Sequence, residues 1–168
     1  MYLKPPFPMR KTLFVFFVSV VLILASTCTR DRGPVMGRIT DAELYAMCID
    51  SSGHFWYQGG QTLPGAGNSP HGNFRLRFDS TANTVLTQMG EISPGGIFPE
   101  GSLIVKDIIS NNQVELYAVM YKYLGAWLWA EYRPGGAIVH GIRKDPGICT
   151  SCHGIQPNRD WVRTFDLH

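Results

Sequence analysis

SLIVKDII (residues 102–109), VELYAVMYK (114–122) and AWLWAEY (126–132) are the three stretches of this chain that determine its fold. Each is rich in Val, Ile, Tyr or Trp, the residue types that favour β-strands. Asn111-Asn112 separates the first two stretches, and Leu124-Gly125 separates the next two. Breaks this short favour tight turns between antiparallel strands, so the three stretches predict consecutive β-hairpins.

On either side of the hairpins the pattern is weaker. Pro134-Gly135-Gly136 turns the chain into a fourth candidate strand, AIVHGI (137–142). FRLRF (74–78) alternates apolar and basic residues, but so short a run is ambiguous. The Gly-rich and Pro-containing residues 51–73 predict a long irregular loop, which either covers a pocket or decorates the surface.

Two helices are expected to pack on the sheet. Thr40-Asp41 followed by Glu43 resembles a capping box at the start of a helix over residues 41–49. Cys48 in that helix is predicted to be a small core residue without a function. Residues 80–89, followed by Gly90, predict a second helix with a cap at each end. The predicted fold class is therefore α+β, a single domain with an antiparallel sheet and a few packed helices.

The strongest chemical signal is Cys149-Thr150-Ser151-Cys152-His153, a C-x-x-C-H motif near the C-terminus. In this spacing each thiol can add to a vinyl group of haem, and the imidazole of the next residue then lies under the iron. The motif predicts covalent haem c on Cys149 and Cys152, with His153 as the axial iron ligand.

Two other readings of the motif stay open. A structural zinc site would normally need a second pair of ligands. A redox dithiol of the thioredoxin kind belongs early in a βαβ unit, whereas this motif follows the predicted sheet. A disulfide framework would need more cysteines than the four present, which are Cys28, Cys48, Cys149 and Cys152.

The N-terminal 27 residues predict an export signal. They contain three basic residues, no acidic residue and the apolar run LFVFFVSVVLILA (13–25), the regions of a secretory signal peptide. A membrane-spanning helix would need about 20 apolar residues, and this run ends earlier. Cys28 resembles the cysteine of a bacterial lipoprotein signal, although Thr27 stands where a smaller residue is usual. The alternative is cleavage nearby, which would leave a soluble protein.

Residues 28–38 are polar and broken by Gly and Pro, so they predict a tether, and residues 39–168 would form the working domain. Without the first 27 residues the chain has 12 basic and 13 acidic residues. A nearly neutral body makes nucleic acid an unexpected partner. We expect a protein that is periplasmic or anchored to a bacterial membrane only through an N-terminal lipid.

Residues 40–168 resemble the cytochrome P-460 family and its cytochrome c′-beta relatives. The resemblance rests on the order and spacing of FPEGSLIVK (98–106), VMYK, AWLWAEY, CTSCH (149–153) and NRDWVRTF (158–165). It implies a β-rich c-type haem protein, often a homodimer, with His153 below the iron and the other face of the haem open. Members of the family oxidise hydroxylamine or bind nitric oxide.

The resemblance assigns roles to two further strands. Some members bond a lysine to the haem, and the matching residue here is Lys106; the alternative is an outward-facing strand lysine. Hydroxylamine-oxidising members use a distal carboxylate where this chain has Ala118. By alternation Ala118 and Met120 would face the iron, whereas Glu115 would point to the opposite face. The sequence thus predicts an apolar distal wall without a general base, so we expect no cross-link at Lys106.

Three functions follow from these residues. The first is an exported mono-haem cytochrome that binds a small nitrogen-oxide ligand of the nitric oxide type at an open iron site. The second is an enzyme that oxidises hydroxylamine through a lysine-modified haem, and the third is a six-coordinate electron carrier with Met120 as the sixth ligand. The sequence predicts no particular redox partner. Trp127 and Trp129 are expected in the core or at the haem edge. The remaining histidines are expected to be solvated or hydrogen-bonded: His54, His71, His140 and His168.

Overall fold

Six antiparallel strands form one sheet in which each strand pairs with its neighbours along the chain, in the order β1 to β6. The computed structural model describes residues 38–67 and 69–168. The strands are β1 (Phe55–Trp56), β2 (Asn73–Phe78), β3 (Leu103–Ser110), β4 (Gln113–Tyr123), β5 (Ala126–Tyr132) and β6 (Ile138–His140). The helices are α1 (Asp41–Ile49), α2 (Ser80–Asn83), α3 (Gly147–His153) and α4 (Thr164–Leu167). This is the predicted α+β arrangement in one domain.

The two central hairpins form as the sequence predicts. Asn111 and Asn112 have φ of 49° and 61°, and Leu124 and Gly125 have φ of 52° and 77°. Two consecutive residues of positive φ are typical of the turns that match the twist of antiparallel strands. The register is thereby fixed, with Ser110 opposite Gln113 and Tyr123 opposite Ala126.

Alternation along the strands gives the sheet two different faces. We call one the helix face, because α1 packs on it through Leu44 and Cys48. The buried apolar strand residues of this face include Leu103, Val105, Val119, Ala130 and Tyr132. The other, the cavity face, carries Phe74, Leu76, Ile104, Met120 and Trp129.

Helix α1 confirms the predicted capping box. The Thr40 hydroxyl accepts from the backbone N–H of Glu43, and the Glu43 carboxylate accepts from the backbone N–H of Thr40. Cys48 is fully buried, as predicted for a core residue, and burial raises the pKa of its thiol to about 12. Nearby, the buried Arg77 donates to the Cys48 carbonyl and pairs with Asp107. These contacts fix α1 to the helix face.

The predicted helix over residues 80–89 is wrong beyond its first turn. Asp79 caps α2 by accepting from Ala82, but the helix ends at Asn83. Leu86 instead pairs with Ile92 in an isolated bridge, and the backbone N–H of Thr87 donates to Glu91. The β-branched residues of this segment favour extended pairing over helix, and tertiary contacts decide the outcome.

The segment 51–73 is also more ordered than expected. It contains β1 and a short 3₁₀ turn, Tyr57–Gly60, whose Tyr57 is buried. FRLRF belongs to β2. None of the helices in residues 38–67 and 69–168 is long and apolar enough to span a bilayer. The expected signal peptide, the tether up to residue 37 and the lipidation site Cys28 lie outside the described residues.

Candidate functional site

A cavity of about 770 Å³ lies between the cavity face of the sheet and the C-terminal segment of the chain. Its volume is within the range of about 300–1,000 Å³ that is common for ligand and cofactor sites. Apolar side chains form much of its wall: Phe74, Leu76, Ile104, Met120, Trp129 and Val162. The cavity can therefore hold a large, mainly apolar group.

Helix α3 presents the C-x-x-C-H motif to this cavity. Cys149, Cys152 and His153 all line it, and both cysteines are half-buried free thiols. A helix turns once in 3.6 residues, so positions 149, 152 and 153 share one face. Burial raises the pKa of the Cys149 thiol, and the nearby Glu131 carboxylate raises it further.

His153 is held in one orientation. Its Nδ1 atom lies 2.8 Å from the backbone carbonyl oxygen of Trp161. Since a carbonyl only accepts, Nδ1 carries the proton and Nε2 is left with its lone pair. Burial lowers the pKa of His153 to about 4, which keeps the ring neutral. The ring also meets Trp129 edge-on, at 4.7 Å between centroids.

A single row of side chains crosses the cavity face at one level. Strand register places Leu76 opposite Lys106, Lys106 opposite Ala118, Ala118 opposite Glu131 and Glu131 opposite His140. All five residues line the cavity. We call this set the cavity row.

Lys106 belongs to the cavity row, and its side chain points into the cavity. It is therefore not the outward-facing strand lysine of the alternative interpretation. Its Nζ atom lies 4.1 Å from the centroid of the Phe74 ring. Burial lowers the pKa of its ammonium group to about 8. A larger fraction of neutral amine near neutral pH makes this lysine a better nucleophile than an exposed one.

Glu131 corrects the expectation of an apolar wall. Ala118 and Met120 do line the cavity, but the carboxylate of Glu131 is in the same wall, 3.3 Å from Nε2 of His71. A hydrogen bond from His71 is the main reason that the pKa of Glu131 is lowered. A carboxylate is therefore part of the cavity wall, and the expectation of a wholly apolar wall is wrong.

The hairpin turn could have revealed Glu131. Since Leu124-Gly125 is a two-residue turn, Tyr123 must face Ala126, and counting outward places Glu131 opposite Ala118. Alternation within β4 alone shows Ala118 and Met120 on this face but not their neighbours on β5. Glu115 takes no part, because it is exposed and lies 3.9 Å from Arg133.

Three of the four remaining histidines line the cavity: His71, His140 and His168. His54 instead lies on Arg77, with 2.9 Å between Nδ1 and Nη1. Among the described residues, His140 Nε2 and Arg163 Nε are buried cavity-lining nitrogens without a hydrogen-bond partner. Buried polar atoms are nearly always paired, so these two nitrogens are exceptions in the cavity wall.

No three His, Cys, Asp or Glu side chains in the described part of the chain are grouped to hold a metal ion directly. Comparison of the chain with protein-family models, with curated proteins and with solved structures found no match.

Proposed function

We propose that this protein is an exported mono-haem c-type cytochrome whose haem binds a small nitrogen-oxide ligand. In this proposal Cys149 and Cys152 each form a thioether bond by adding S–H across a vinyl group, and His153 binds the iron through Nε2. The observation that carries the proposal is the position of His153 beside two free thiols in one large cavity, with its Nδ1 proton already donated to a carbonyl.

The surroundings of the motif suit this cofactor. A porphyrin is flat and apolar except for its two carboxylates. The apolar wall matches the ring, and the side chains of His140 and Arg163 line the same cavity and offer polar partners for the carboxylates. Axial ligands of this kind usually donate their second ring nitrogen to a backbone carbonyl or carboxylate, as His153 does.

The test is covalent attachment. The chain, exported in a host that has the c-haem maturation machinery, should keep its haem on a denaturing gel. The double variant C149A/C152A should lose the haem stain completely. C48A is the matched control, because Cys48 lies on the helix face, and it should keep the stain. Haem that extracts into acidic solvent from the wild-type chain would contradict the proposal.

Haem, when bound, supplies an iron that coordinates the ligand and exchanges electrons. The protein contributes the remaining wall of the site, in which Ala118 is small and Met120 is buried. A high-spin ferrous spectrum would support an open site. A low-spin spectrum that M120A converts to high-spin would favour the electron carrier with Met120 as sixth ligand.

Oxidation of hydroxylamine is a second candidate, and Glu131 favours it. Oxidising an N–H or O–H ligand releases protons, and an ionised carboxylate in the cavity wall can accept one. Lys106 stands two places along the same cavity row, inward-facing and partly neutral near pH 8. The choice between a ligand-binding protein and an oxidoreductase therefore depends on Glu131.

A further inference from the structure

Three residues from other parts of the chain bond to the segment that orients His153: Phe98, Lys122 and Trp127. This segment, residues 158–162, is a tight turn closed by mutual backbone hydrogen bonds between Arg159 and Val162, at 2.9 and 3.0 Å. Its two central residues, Asp160 and Trp161, have φ of 50° and 70°. The carbonyl that accepts from His153 belongs to Trp161.

The turn is an unusual conformation for these residues. Asn-Gly is the preferred pair where both central residues have positive φ. A bulky residue such as Trp is rarely left-handed, and such backbone persists only where the surroundings hold it. The Trp161 ring also packs close to the backbone at Gly154, where an added Cβ would lie 3.1 Å from the ring.

The Asp160 carboxylate is what holds the turn. Nζ of Lys122 lies 3.0 Å from both of its oxygens. The backbone N–H of Phe98 donates to it at 2.9 Å, and Nε1 of Trp127 donates to the Asp160 carbonyl at 3.0 Å. The side chains of Lys122 and Asp160 are only 8% and 9% exposed. Breaking a buried ion pair of this kind by removing one partner strongly destabilises the fold, because the other charge is left buried without a partner.

We propose that Asp160 and Lys122 are positioning residues for His153. Their ion pair ties the turn to β4, and the turn aims the Trp161 carbonyl at Nδ1. This inference rests on the proposed function, because the turn fixes the orientation and the Nδ1 proton of His153, the proposed axial ligand. A hydrogen bond to Nδ1 also makes the imidazole a stronger donor to a metal.

The experiment compares D160N with D107N. D160N keeps the shape of the side chain and removes its charge. D107N breaks an equally buried ion pair, Asp107 with Arg77, on the opposite face of the sheet. W127F is a second variant that keeps the ion pair and removes the indole N–H donated to Asp160, together with part of the ring that packs on Phe98 and Lys122. W127F takes the place of D160N in the comparison if circular dichroism shows that D160N does not fold.

Two readouts separate positioning from simple loss of stability. In the haem-loaded ferrous chain, resonance Raman should show a lower iron–histidine stretching frequency in D160N and a smaller decrease in W127F, with none in D107N. In the haem-free chain, nitrogen-15 NMR should show His153 as the Nδ1–H tautomer in the wild type and a loss of that tautomer in D160N.

The outcomes distinguish the two proposals. If the wild-type chain retains no haem, the proposed function fails, and the tautomer measurement alone decides the role of Asp160. If haem is retained and both D160N and W127F keep the wild-type frequency and tautomer, the positioning role is wrong. An equal shift in D107N would also overturn it, because the effect would then be a general loosening of the fold.

Discussion

At the scale of single residues, the chemistry of the cavity depends on two ionisable groups whose surroundings differ. Glu131 has a hydrogen-bonding partner, His71, and its pKa is lowered. Lys106 has no acidic partner among the described residues, and its pKa falls through burial. The first shift keeps Glu131 ionised at neutral pH, and the second leaves the Lys106 amine partly neutral at slightly alkaline pH.

Glu131→Gln tests whether the carboxylate serves as a base. If the protein oxidises hydroxylamine, the variant should lose turnover by about 10²–10⁴-fold, with its haem content and optical spectrum unchanged. Glu115→Gln, at an exposed carboxylate, is the control. Steady-state turnover with an excess of an artificial electron acceptor measures the effect. Equal turnover by E131Q and wild type would show that Glu131 is not the base, whereas no turnover by the wild type would leave ligand binding as the function.

Lys106 should make the stability of the haem-free chain depend on pH. Its folded-state pKa of about 8 lies below the ordinary value of 10.5. Between these values the unfolded chain binds more protons, so the free energy of unfolding should rise with pH through that window. Urea unfolding of the wild type and K106M should differ by this rise.

K144M is the matched control for Lys106, because Lys144 is at the exposed mouth of the same cavity. The free energy of unfolding of K144M should still rise with pH, whereas that of K106M should not. A wild-type curve with the same slope as the K106M curve would mean that Lys106 is solvated in solution.

At the scale of secondary-structure elements, the β4–β5 hairpin fixes the level of the cavity row. Its turn contains Leu124, a non-glycine residue with φ of 52° and a side chain that is 69% exposed. Glu100 stabilises the turn by accepting from the backbone N–H groups of Leu124 and Gly125. The register that places Glu131 in the cavity thus depends on a short strained connection.

Leu124→Asn should stabilise the protein. A left-handed backbone costs an ordinary residue about 1–2 kcal/mol, and Asn tolerates it better. We expect the free energy of unfolding to rise by about 0.5–1 kcal/mol, measured by urea denaturation. Gly125→Ala, at φ of 77°, should do the opposite. A decrease in stability for L124N would show that the Leu124 side chain makes contacts that outweigh the strain.

The sequence predicts the features that depend on residues close together in the chain better than those that depend on distant residues. The hairpins and α1 follow from residues adjacent in the chain, such as Asn111-Asn112 and Thr40 with Glu43. The short α2 does not, because pairing between Leu86 and Ile92 overrides local helix preference. The C-x-x-C-H motif on α3 is visible in the sequence. Predicting that the Glu131 side chain points into the cavity also requires the register between β4 and β5. The Lys122–Asp160 pair joins residues 38 positions apart, and no local pattern reveals it.

At the scale of the whole molecule, the sheet separates a packed face from an open one. The helix face is filled by α1 and contains the Arg77–Asp107 pair. The cavity face borders about 770 Å³ of space lined largely by apolar side chains. Space of this kind leaves its lining without the contacts that a packed core provides.

Occupation of the cavity should therefore stabilise the fold. A covalently attached haem stays on the chain in both states, but it packs against the apolar wall only in the native state, and those contacts raise the melting temperature. We expect the haem-loaded chain to melt several degrees above C149A/C152A, because each kcal/mol shifts Tm by about 2–8 °C in domains of this size. Differential scanning calorimetry at one pH compares the two. Coincident melting curves would mean that the apolar wall does not contact the haem.

The cavity row also has a consequence for how such a protein can change its chemistry. Its members come from successive strands at one level, and neighbours across a sheet are about 4.5–5.5 Å apart at Cβ. The contacts that secure α1 are on the other side of the sheet. Selection in the laboratory could therefore be confined to five codons, those of Leu76, Lys106, Ala118, Glu131 and His140. Such a library would sample acids, bases and apolar groups around one bound cofactor while the scaffold keeps its shape.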